Sequence, residues 1–250
     1  MSFVVAFEFL TCLRFPLPRR DQEVRVGRSL RWFPLVGALI GCAVGLIDSL
    51  LGRVTTPEIR AVLAVGLLAA ITGGLHLDGL MDSCDGLFVF APAERRLQIM
   101  RDSHVGSFAI VGLVTDLLLK YSALLVVPEP VRLPTFVAMG ALSRWAMVLA
   151  TVHYPSARAD GLGRAYKSSA NARELVIATP LALLALAPLR LAGLGLIAVA
   201  FAATVFTARL VMRRIPGLTG DTYGAISEIV EIAVAIAVPP LLVAVPMWGP

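Results

Sequence analysis

The chain has 250 residues, of which 58% are hydrophobic and 16% are charged, whereas a typical soluble domain carries about 25% charged residues. A mean hydropathy of +0.82 excludes a disordered chain, a disulfide scaffold and an ordinary cytosolic enzyme. The chain has a net charge of +5, and its basic residues lie mostly in short loops between apolar runs. Basic residues in such loops orient a membrane protein, so we expect a lipid bilayer and no nucleic acid as partner.

The first residues predict a short helix rather than a secretory signal. Phe3, Phe7 and Leu10 recur at helical spacing within residues 1–13, which have no basic start and no small-residue cleavage site. We expect an N-terminal interfacial helix, or one that packs into the rest of the protein. The following residues, 14–31, are polar and basic.

Seven apolar segments follow, each close to the ~20 residues that a bilayer demands. They are 34–51, 59–77, 105–127, 134–153, 175–189, 191–212 and 225–247. Their hydrophobicity is continuous rather than alternating, which favours helices over a barrel. The fifth contains Pro180, and the fifth and sixth can form one broken hairpin. The pattern predicts an all-α, polytopic membrane bundle of about 6–7 transmembrane helices, forming one integral-membrane domain over residues 1–250.

Basic residues in the loops indicate the orientation of the bundle. With a cytoplasmic N-terminus, 16 Lys and Arg side chains fall inside and four fall outside, a strong positive-inside bias. This orientation places three longer polar segments, 78–104, 154–174 and 213–224, on the cytoplasmic face. We expect a multi-pass protein of the bacterial inner membrane whose active site faces the cytoplasm.

The segment 73–87 carries the strongest chemical signal. Asp78, Asp82 and Asp85 are spaced i, i+4, i+7, which places three carboxylates on one face of a helix. Because like charges at this spacing repel, we expect a bound Mg²⁺, which prefers carboxylate oxygens and substrate phosphates. His76 is either catalytic or a hydrogen-bonded structural residue.

A second acidic cluster begins the last apolar segment. Asp221 and Glu228 share a helical face, and carboxylates at membrane depth indicate function. We therefore count both among the metal ligands. The alternative is that Asp221 caps the helix while Glu228 pairs with Lys120 or Arg144.

Between these clusters lie residues suited to phosphate. Arg101 can contact phosphate, Asp102 adds a carboxylate, and Ser103 precedes a helix N-terminus that presents free amides. The basic loop 154–164, which contains Arg158, is either a second phosphate clamp or a positive-inside anchor.

The chain resembles the cobalamin synthase family, also called adenosylcobinamide-GDP ribazoletransferases. Five ordered stretches carry the resemblance, and the Asp-rich one is the most specific. They are 9–18, 33–37, 73–86, 100–106 and 218–225.

The resemblance implies the last linking step of cobalamin assembly. A hydroxyl of α-ribazole, or of its phosphate, attacks the corrinoid-side phosphorus of adenosylcobinamide-GDP, and GMP leaves. It also implies a Mg²⁺ requirement. The oligomeric state stays open, with a homo-oligomer among the alternatives.

Motifs and resemblance together predict the roles of the site residues. The catalytic residues are Asp82, Asp85 and His76. The metal ligands are Asp78, Asp82, Asp85, Asp102, Asp221 and Glu228. The substrate-binding residues are Arg14, Arg31, Arg101, Ser103, His104, Arg158 and Thr219.

Two other functions compete with this prediction. A CDP-alcohol phosphotransferase shares the theme Asp82-Ser83-Cys84-Asp85-Gly86, but the rest of that motif is missing. A cation-coupled transporter would use intramembrane charges as a relay. Those charges are Asp116, Lys120, Arg144, Glu228 and Glu231.

Overall fold

The computed structural model describes residues 2–15 and 22–244. Within those ranges the chain forms 12 α-helices, three 3-10 turns and no β-strand, which confirms the all-α prediction. The helices are α1 (Ser2–Leu10), α2 (Gln22–Ser29), α3 (Phe33–Leu51), α4 (Pro57–Thr72), α5 (Leu75–Phe88), α6 (Ala93–Ile99), α7 (Ser107–Val126), α8 (Arg132–His153), α9 (Leu162–Ser169), α10 (Ala172–Ala185), α11 (Arg190–Met212) and α12 (Gly220–Ala244).

Five helical segments are long and apolar enough to cross a membrane, so the chain is a multi-pass membrane protein. They are Val26–Leu51, Ser107–Val126, Glu129–His153, Ala187–Met212 and Gly220–Ala244. The bent pair α4 and α5 raises the number to six if it is one broken span.

The second predicted segment, 59–77, is not one straight helix. Gly73 and Gly74 both adopt left-handed φ angles, of 62° and 70°, a conformation that glycine adopts without steric cost. Helix α4 ends there, and α5 leaves at an angle of 92°. This bend separates the helix that carries the three aspartates from the preceding apolar helix.

The fifth predicted segment, 175–189, is too short to count as a span. Helix α10 has 14 residues with Pro180 inside it, and a helix of that length reaches only about 21 Å, against ~30 Å of hydrocarbon. Leu186 lies against Gly193 at the start of α11, so α10 and α11 form a hairpin. The described residues therefore give up to six full-length spans, the lower end of the predicted 6–7.

The N-terminal helix packs into the bundle rather than lying free at the interface. Ala6 and Leu10 are fully buried. The ring of Phe9 lies 5.7 Å from that of Phe33 and 4.9 Å from that of Tyr166, between ring centroids. Helix α1 thereby becomes part of the same wall as α3 and α9.

Helices α3 and α8 form the closest helix pair. A Cβ added at Gly37 would lie 2.0 Å from the carbonyl oxygen of Gly140, and one at Gly41 would lie 2.1 Å from that of Phe136. Small residues let helix backbones approach in this way. The glycines of the first apolar segment are therefore packing residues.

The three long polar segments meet at one end of the bundle. Leu218 donates its backbone N–H to Pro155 across 2.8 Å, and Ala157 donates to Leu218 across 2.8 Å. Arg101 pairs with Asp160, which joins the first segment to the second. The prediction that these segments share one face of the protein is confirmed.

Candidate active site

Helices α5 and α12 cross with their backbones in contact. A Cβ added at Gly79 would lie 2.6 Å from the carbonyl oxygen of Asp221, and one at Gly224 would lie 3.1 Å from that of His76. No side chain separates the helices at these two glycines. The crossing brings the acidic face of α5 beside Asp221 at the start of α12.

A cavity of about 380 Å³ opens beside this crossing. We call it the basic cavity because three arginines line it, together with two tyrosines and three acidic side chains. These residues are Arg101, Arg158, Arg164, Tyr166, Tyr223, Asp78, Asp160 and Asp221. Phe9, His76 and Thr219 also line it.

Carboxylates hold two of the arginines in place. Arg158 Nη1 lies 2.9 Å from Asp221 Oδ2, and Arg101 pairs with Asp160. Thr219 donates its hydroxyl to the same Asp221 oxygen across 3.2 Å. The predicted residues Arg101, Arg158 and Thr219 therefore lie together, as donors around one cavity.

Asp78 and Asp82 lie on the same side of α5. Asp78 is exposed and lines the cavity, whereas Asp82 is half-buried. Asp82 lies within electrostatic range of Asp78, Asp221 and the Arg158 guanidinium. Negative charge on α5 thus lies close to the arginines of the basic cavity.

Asp85 has different surroundings from its two neighbours on α5. Its carboxylate accepts backbone N–H bonds from Gly106 (2.7 Å) and Ala109 (2.8 Å), so it caps the N-terminus of α7. Both oxygens are used in this contact. Asp85 therefore has a structural contact in the described chain, and its catalytic and metal-binding roles stay predictions.

Asp102, Ser103 and His104 lie in an exposed turn before α7. His104 Nδ1 lies 2.6 Å from Asp102 Oδ1. This hydrogen bond lowers the pKa of Asp102 and raises the pKa of His104. In the described chain none of the three lines the basic cavity, and their roles as metal ligand and substrate contacts stay predictions.

Glu228 belongs to a separate buried charge cluster. It pairs with Lys120, whose Nζ also lies 3.3 Å from Asp116 Oδ2 and 2.9 Å from Glu231 Oε2. Burial of these groups without partners would be strongly unfavourable. Glu228 is therefore engaged with Lys120, the alternative left open above, and is not placed with the carboxylates of the site.

The buried cluster reaches the basic cavity through His76. Arg144 pairs with Glu231, and its Nη2 lies 3.3 Å from His76 Nδ1. His76 is 1% exposed, and within the described residues its Nε2 has no hydrogen-bond partner. Arg144 thus contacts one side of the imidazole, while Nε2 is buried without a partner in the wall of the basic cavity.

Two predicted substrate contacts lie outside the basic cavity. Arg31 forms a bidentate ion pair with Glu174, at 2.7 and 2.8 Å, which ties the start of α3 to α10. Arg14 donates to the carbonyl oxygen of Thr11 at 2.8 Å and lines a second, larger cavity. Arg31 therefore lies away from the basic cavity, paired with Glu174, and its substrate-binding role stays a prediction.

The described residues contain no group of three or more His, Cys, Asp or Glu side chains placed to hold a metal ion. The six predicted ligands are therefore not gathered into one cage. Mg²⁺, however, is typically bound through one or two carboxylates plus substrate phosphates and water. Asp78 and Asp221 line the basic cavity beside its arginines, and Asp82 lies within electrostatic range of both, so these three carboxylates fit that pattern.

Comparison with known proteins identifies the family. The model of the cobalamin-5-phosphate synthase family matches residues 2–239. The chain belongs to this family. Three relatives are named adenosylcobinamide-GDP ribazoletransferase: those of Desulfitobacterium hafniense (38% identity over 95% of this chain and 96% of the relative), Geotalea daltonii (37% over 92% and 93%) and Stutzerimonas stutzeri (38% over 94% and 96%). No solved structure matches the chain.

Membership of the cobalamin-5-phosphate synthase family decides between the predicted functions. The match extends over nearly the whole chain, so neither a CDP-alcohol phosphotransferase nor a transporter is needed to explain the acidic motifs. The intramembrane charges that a transporter would use as a relay form the ion pairs of the buried cluster around Lys120.

Some residues of this synthase site were missed by sequence reasoning. Asp160 and Arg164 lie in the basic loop that was recognised, and their charge was the available signal. Phe9 and Tyr223 lie in stretches that carry the family resemblance, whereas Tyr166 gave no signal, because aromatic residues at helical spacing predict only a packed face. Together with Phe33 they form the aromatic part of the wall of the basic cavity.

Proposed function

We propose that this membrane transferase joins α-ribazole, or its phosphate, to adenosylcobinamide-GDP and releases GMP. The observation that carries the proposal is the basic cavity, in which arginines suited to phosphate oxygens surround carboxylates suited to a divalent cation. The names of the full-length relatives supply the substrate.

The reaction exchanges one P–O bond for another. A ribazole hydroxyl oxygen bonds to the phosphorus on the corrinoid side, and the bond from that phosphorus to the bridging oxygen breaks. The bridging oxygen keeps the electron pair and leaves with GMP. The hydroxyl proton goes to an acceptor at the site, for which Asp82 and His76 are the two candidates.

The arginines bind and orient the pyrophosphate. Arg101, Arg158 and Arg164 offer planar donor groups that match phosphate oxygens. Asp160 and Asp221 hold two of these guanidiniums in position before substrate arrives, which reduces the ordering required on binding. The volume of about 380 Å³ lies within the range of about 300–1,000 Å³ for small-molecule sites and suits the nucleotide end of the substrate.

Asp78 and Asp82, with Asp221 beside them, would hold Mg²⁺. When bound, the ion offsets the negative charge that develops on the departing phosphate. Helices α5 and α12 are in backbone contact at Gly79. This contact fixes Asp78 and Asp82 on α5 relative to Asp221 on α12, and these carboxylates in turn set the position of the pyrophosphate. Thr219 and Arg158 hold the Asp221 carboxylate from the other side.

We expect GMP release to depend strictly on a divalent cation. Without one, the carboxylates at Asp78 and Asp82 would repel the pyrophosphate. EDTA should abolish turnover, and added Mg²⁺ or Mn²⁺ should restore it. Full activity after exhaustive chelation would contradict the metal site.

The function itself is tested by product formation. Purified protein in detergent should release GMP only when adenosylcobinamide-GDP, α-ribazole and Mg²⁺ are all present. GMP and the new corrinoid should appear in equal amounts by chromatography. GMP formed without ribazole would indicate hydrolysis instead of transfer and would contradict the proposal.

The proposed location is the bacterial inner membrane, with the site on the cytoplasmic face. The supporting observation is the number of basic residues in the segments that meet at the site end. Cytoplasmic loops are enriched in such residues.

A further inference from the structure

A second cavity, with a volume of about 1120 Å³, lies next to the basic cavity. We call it the α1 cavity because α1 and the residues after it form one wall. The opposite wall consists of the glycine break between α4 and α5, the apolar side of α5 and Leu113 of α7. The proposed reaction assigns no ligand to this space.

The two cavities share part of their lining. Phe9, Leu75 and Asp78 line both of them. Asp78 is one of the carboxylates placed at the pyrophosphate above. A pyrophosphate bound at Asp78 therefore has one cavity on each side of it.

The two cavities differ in size, and so do the two ends of the substrate. The smaller cavity matches the nucleotide end and the larger one matches the corrinoid end. The basic cavity has room for a nucleotide, whereas the α1 cavity exceeds the range of about 300–1,000 Å³ that encloses most small ligands. A corrinoid is a broad macrocycle with an apolar framework and amide side chains at its edge. It is too large for the basic cavity.

The lining of the α1 cavity matches this amphipathic chemistry. Leu77, Met81 and Leu113 supply apolar surface, whereas Thr11 and Arg14 supply polar groups. At Gly74 an added Cβ would meet no atom within 4 Å, so bare backbone faces open space at the glycine break. A flat ring can approach closely there.

The α1 wall is fixed to the bundle. Cys12 donates its backbone N–H to the carbonyl oxygen of Ile71 across 2.8 Å. Phe15 donates its backbone N–H to Glu8 Oε1 across 2.7 Å. The cavity is thus a built space between two anchored walls.

We propose that the α1 cavity binds the corrinoid end of the substrate while the basic cavity binds the nucleotide end. This inference rests on the proposed function. It places the bond that breaks at Asp78, between the two cavities, and makes α1 part of the substrate site.

Cys12 provides a direct probe. It is an exposed thiol in the α1 cavity, whereas Cys42 is half-buried and Cys84 is buried. The measurement is the rate of maleimide modification of Cys12 in the purified full chain, followed by mass spectrometry. Cys12→Ser identifies the labelled peptide.

Cobinamide without a nucleotide, at about ten times its dissociation constant, should slow this modification about tenfold, since only the unliganded fraction reacts. GDP at the same saturation should leave the rate within about twofold of the unliganded value. Equal protection by GDP, or none by cobinamide that binds by equilibrium dialysis, would overturn the assignment.

A substitution gives an independent measurement. Leu113→Trp fills the α1 cavity from α7 and should raise the KM for adenosylcobinamide-GDP about tenfold, with the KM for ribazole unchanged. Val114→Trp is the matched control, because Val114 is 48% exposed on the same helix and lines neither cavity. Equal KM values for the two variants would count against the proposal, and Cys12 protection decides if Leu113→Trp does not fold.

These experiments distinguish the corrinoid site in the α1 cavity from the proposed transfer reaction. Normal GMP release with no protection of Cys12 by bound cobinamide contradicts only the corrinoid site. Absence of both GMP release and cobinamide binding contradicts the proposed function as well.

Discussion

Asp82 and Asp85 stand three residues apart on one helix and have opposite surroundings. Asp82 is half-buried, near Asp78 and Asp221. Asp85 accepts two backbone hydrogen bonds from the first turn of α7. Identical side chains therefore have different environments, according to what the neighbouring helices present to them.

The first prediction at the scale of the residue concerns Asp82. Asp82→Asn keeps the side-chain shape and removes one charge from the acidic face. The fold should be retained, since the change relieves like-charge repulsion of about 0.2–0.5 kcal/mol per pair. Turnover should fall by ~10² or more, because the charge on the departing GMP is no longer offset.

Melting temperature and GMP release are measured on the same preparation. Glu94→Gln is the control, because Glu94 is an exposed carboxylate on α6 and should have little effect on either quantity. Normal turnover in well-folded Asp82→Asn protein would remove this face of α5 from the active site.

At the scale of the element, the crossing of α5 and α12 positions the site. A Cβ added at Gly79 would lie 2.6 Å from a backbone oxygen of α12, so Gly79→Ala must push the helices apart. We expect a loss of about 1–3 kcal/mol of stability. Turnover should fall about 10²-fold, because displacements of the order of 1 Å have that effect.

Gly66 of α4 provides a matched control for this prediction. An added Cβ there meets no atom within 4 Å, so Gly66→Ala should stabilise the helix by about 0.5–1 kcal/mol. Thermal unfolding and GMP release are compared for both variants. A Gly79→Ala protein that behaves like Gly66→Ala would show that the close crossing is not required.

The buried cluster joins α7, α8 and α12. Lys120→Met removes the cation that faces Asp116, Glu228 and Glu231. Removing one partner of a buried ion pair leaves uncompensated charge and costs about 3–5 kcal/mol. We therefore expect a large drop in the detergent melting temperature.

Arg95→Met serves as the control for a lost cation. Arg95 is exposed on α6, and substitutions at such positions usually change stability by less than about 0.5 kcal/mol. If Lys120→Met were as stable as Arg95→Met, the cluster would contribute nothing to the docking of these helices.

At the scale of the whole molecule, charge separates the two ends of the bundle. At the end away from the site, Arg132 forms a bidentate ion pair with Asp48, at 2.9 and 2.7 Å. Arg60 Nε lies 3.2 Å from the same carboxylate. These paired arginines are among the four basic residues assigned to the outside, whereas most basic side chains lie towards the site end.

This asymmetry predicts the accessibility of engineered cysteines. In a Cys12→Ser background, Val54→Cys should react with an impermeant maleimide on intact cells, because Val54 is 78% exposed at the far end. Ala159→Cys, in the exposed loop at the site end, should react only after the membrane is permeabilised. The reverse pattern would contradict a cytoplasmic active site.

Local features of the chain were predictable from the sequence. The membrane class, the helical content, the glycine contact of α3 and the shared end of the three polar segments all follow from composition and periodicity. The i, i+4, i+7 aspartates do lie on one helix, α5 (Leu75–Phe88). These properties depend on residues close together in the chain, where hydrophobic pattern and side-chain spacing are sufficient information.

The tertiary structure decided which charged groups meet. Arg31 pairs with Glu174, Lys120 with Glu228 and Arg158 with Asp221. Sequence spacing cannot rank such distant partners, so it did not predict Glu174 beside Arg31 and left Lys120 as one of two alternatives for Glu228. The bend at residues 73–74 and the two cavities that meet at Asp78 arise in the same way, because they depend on how whole helices pack against one another.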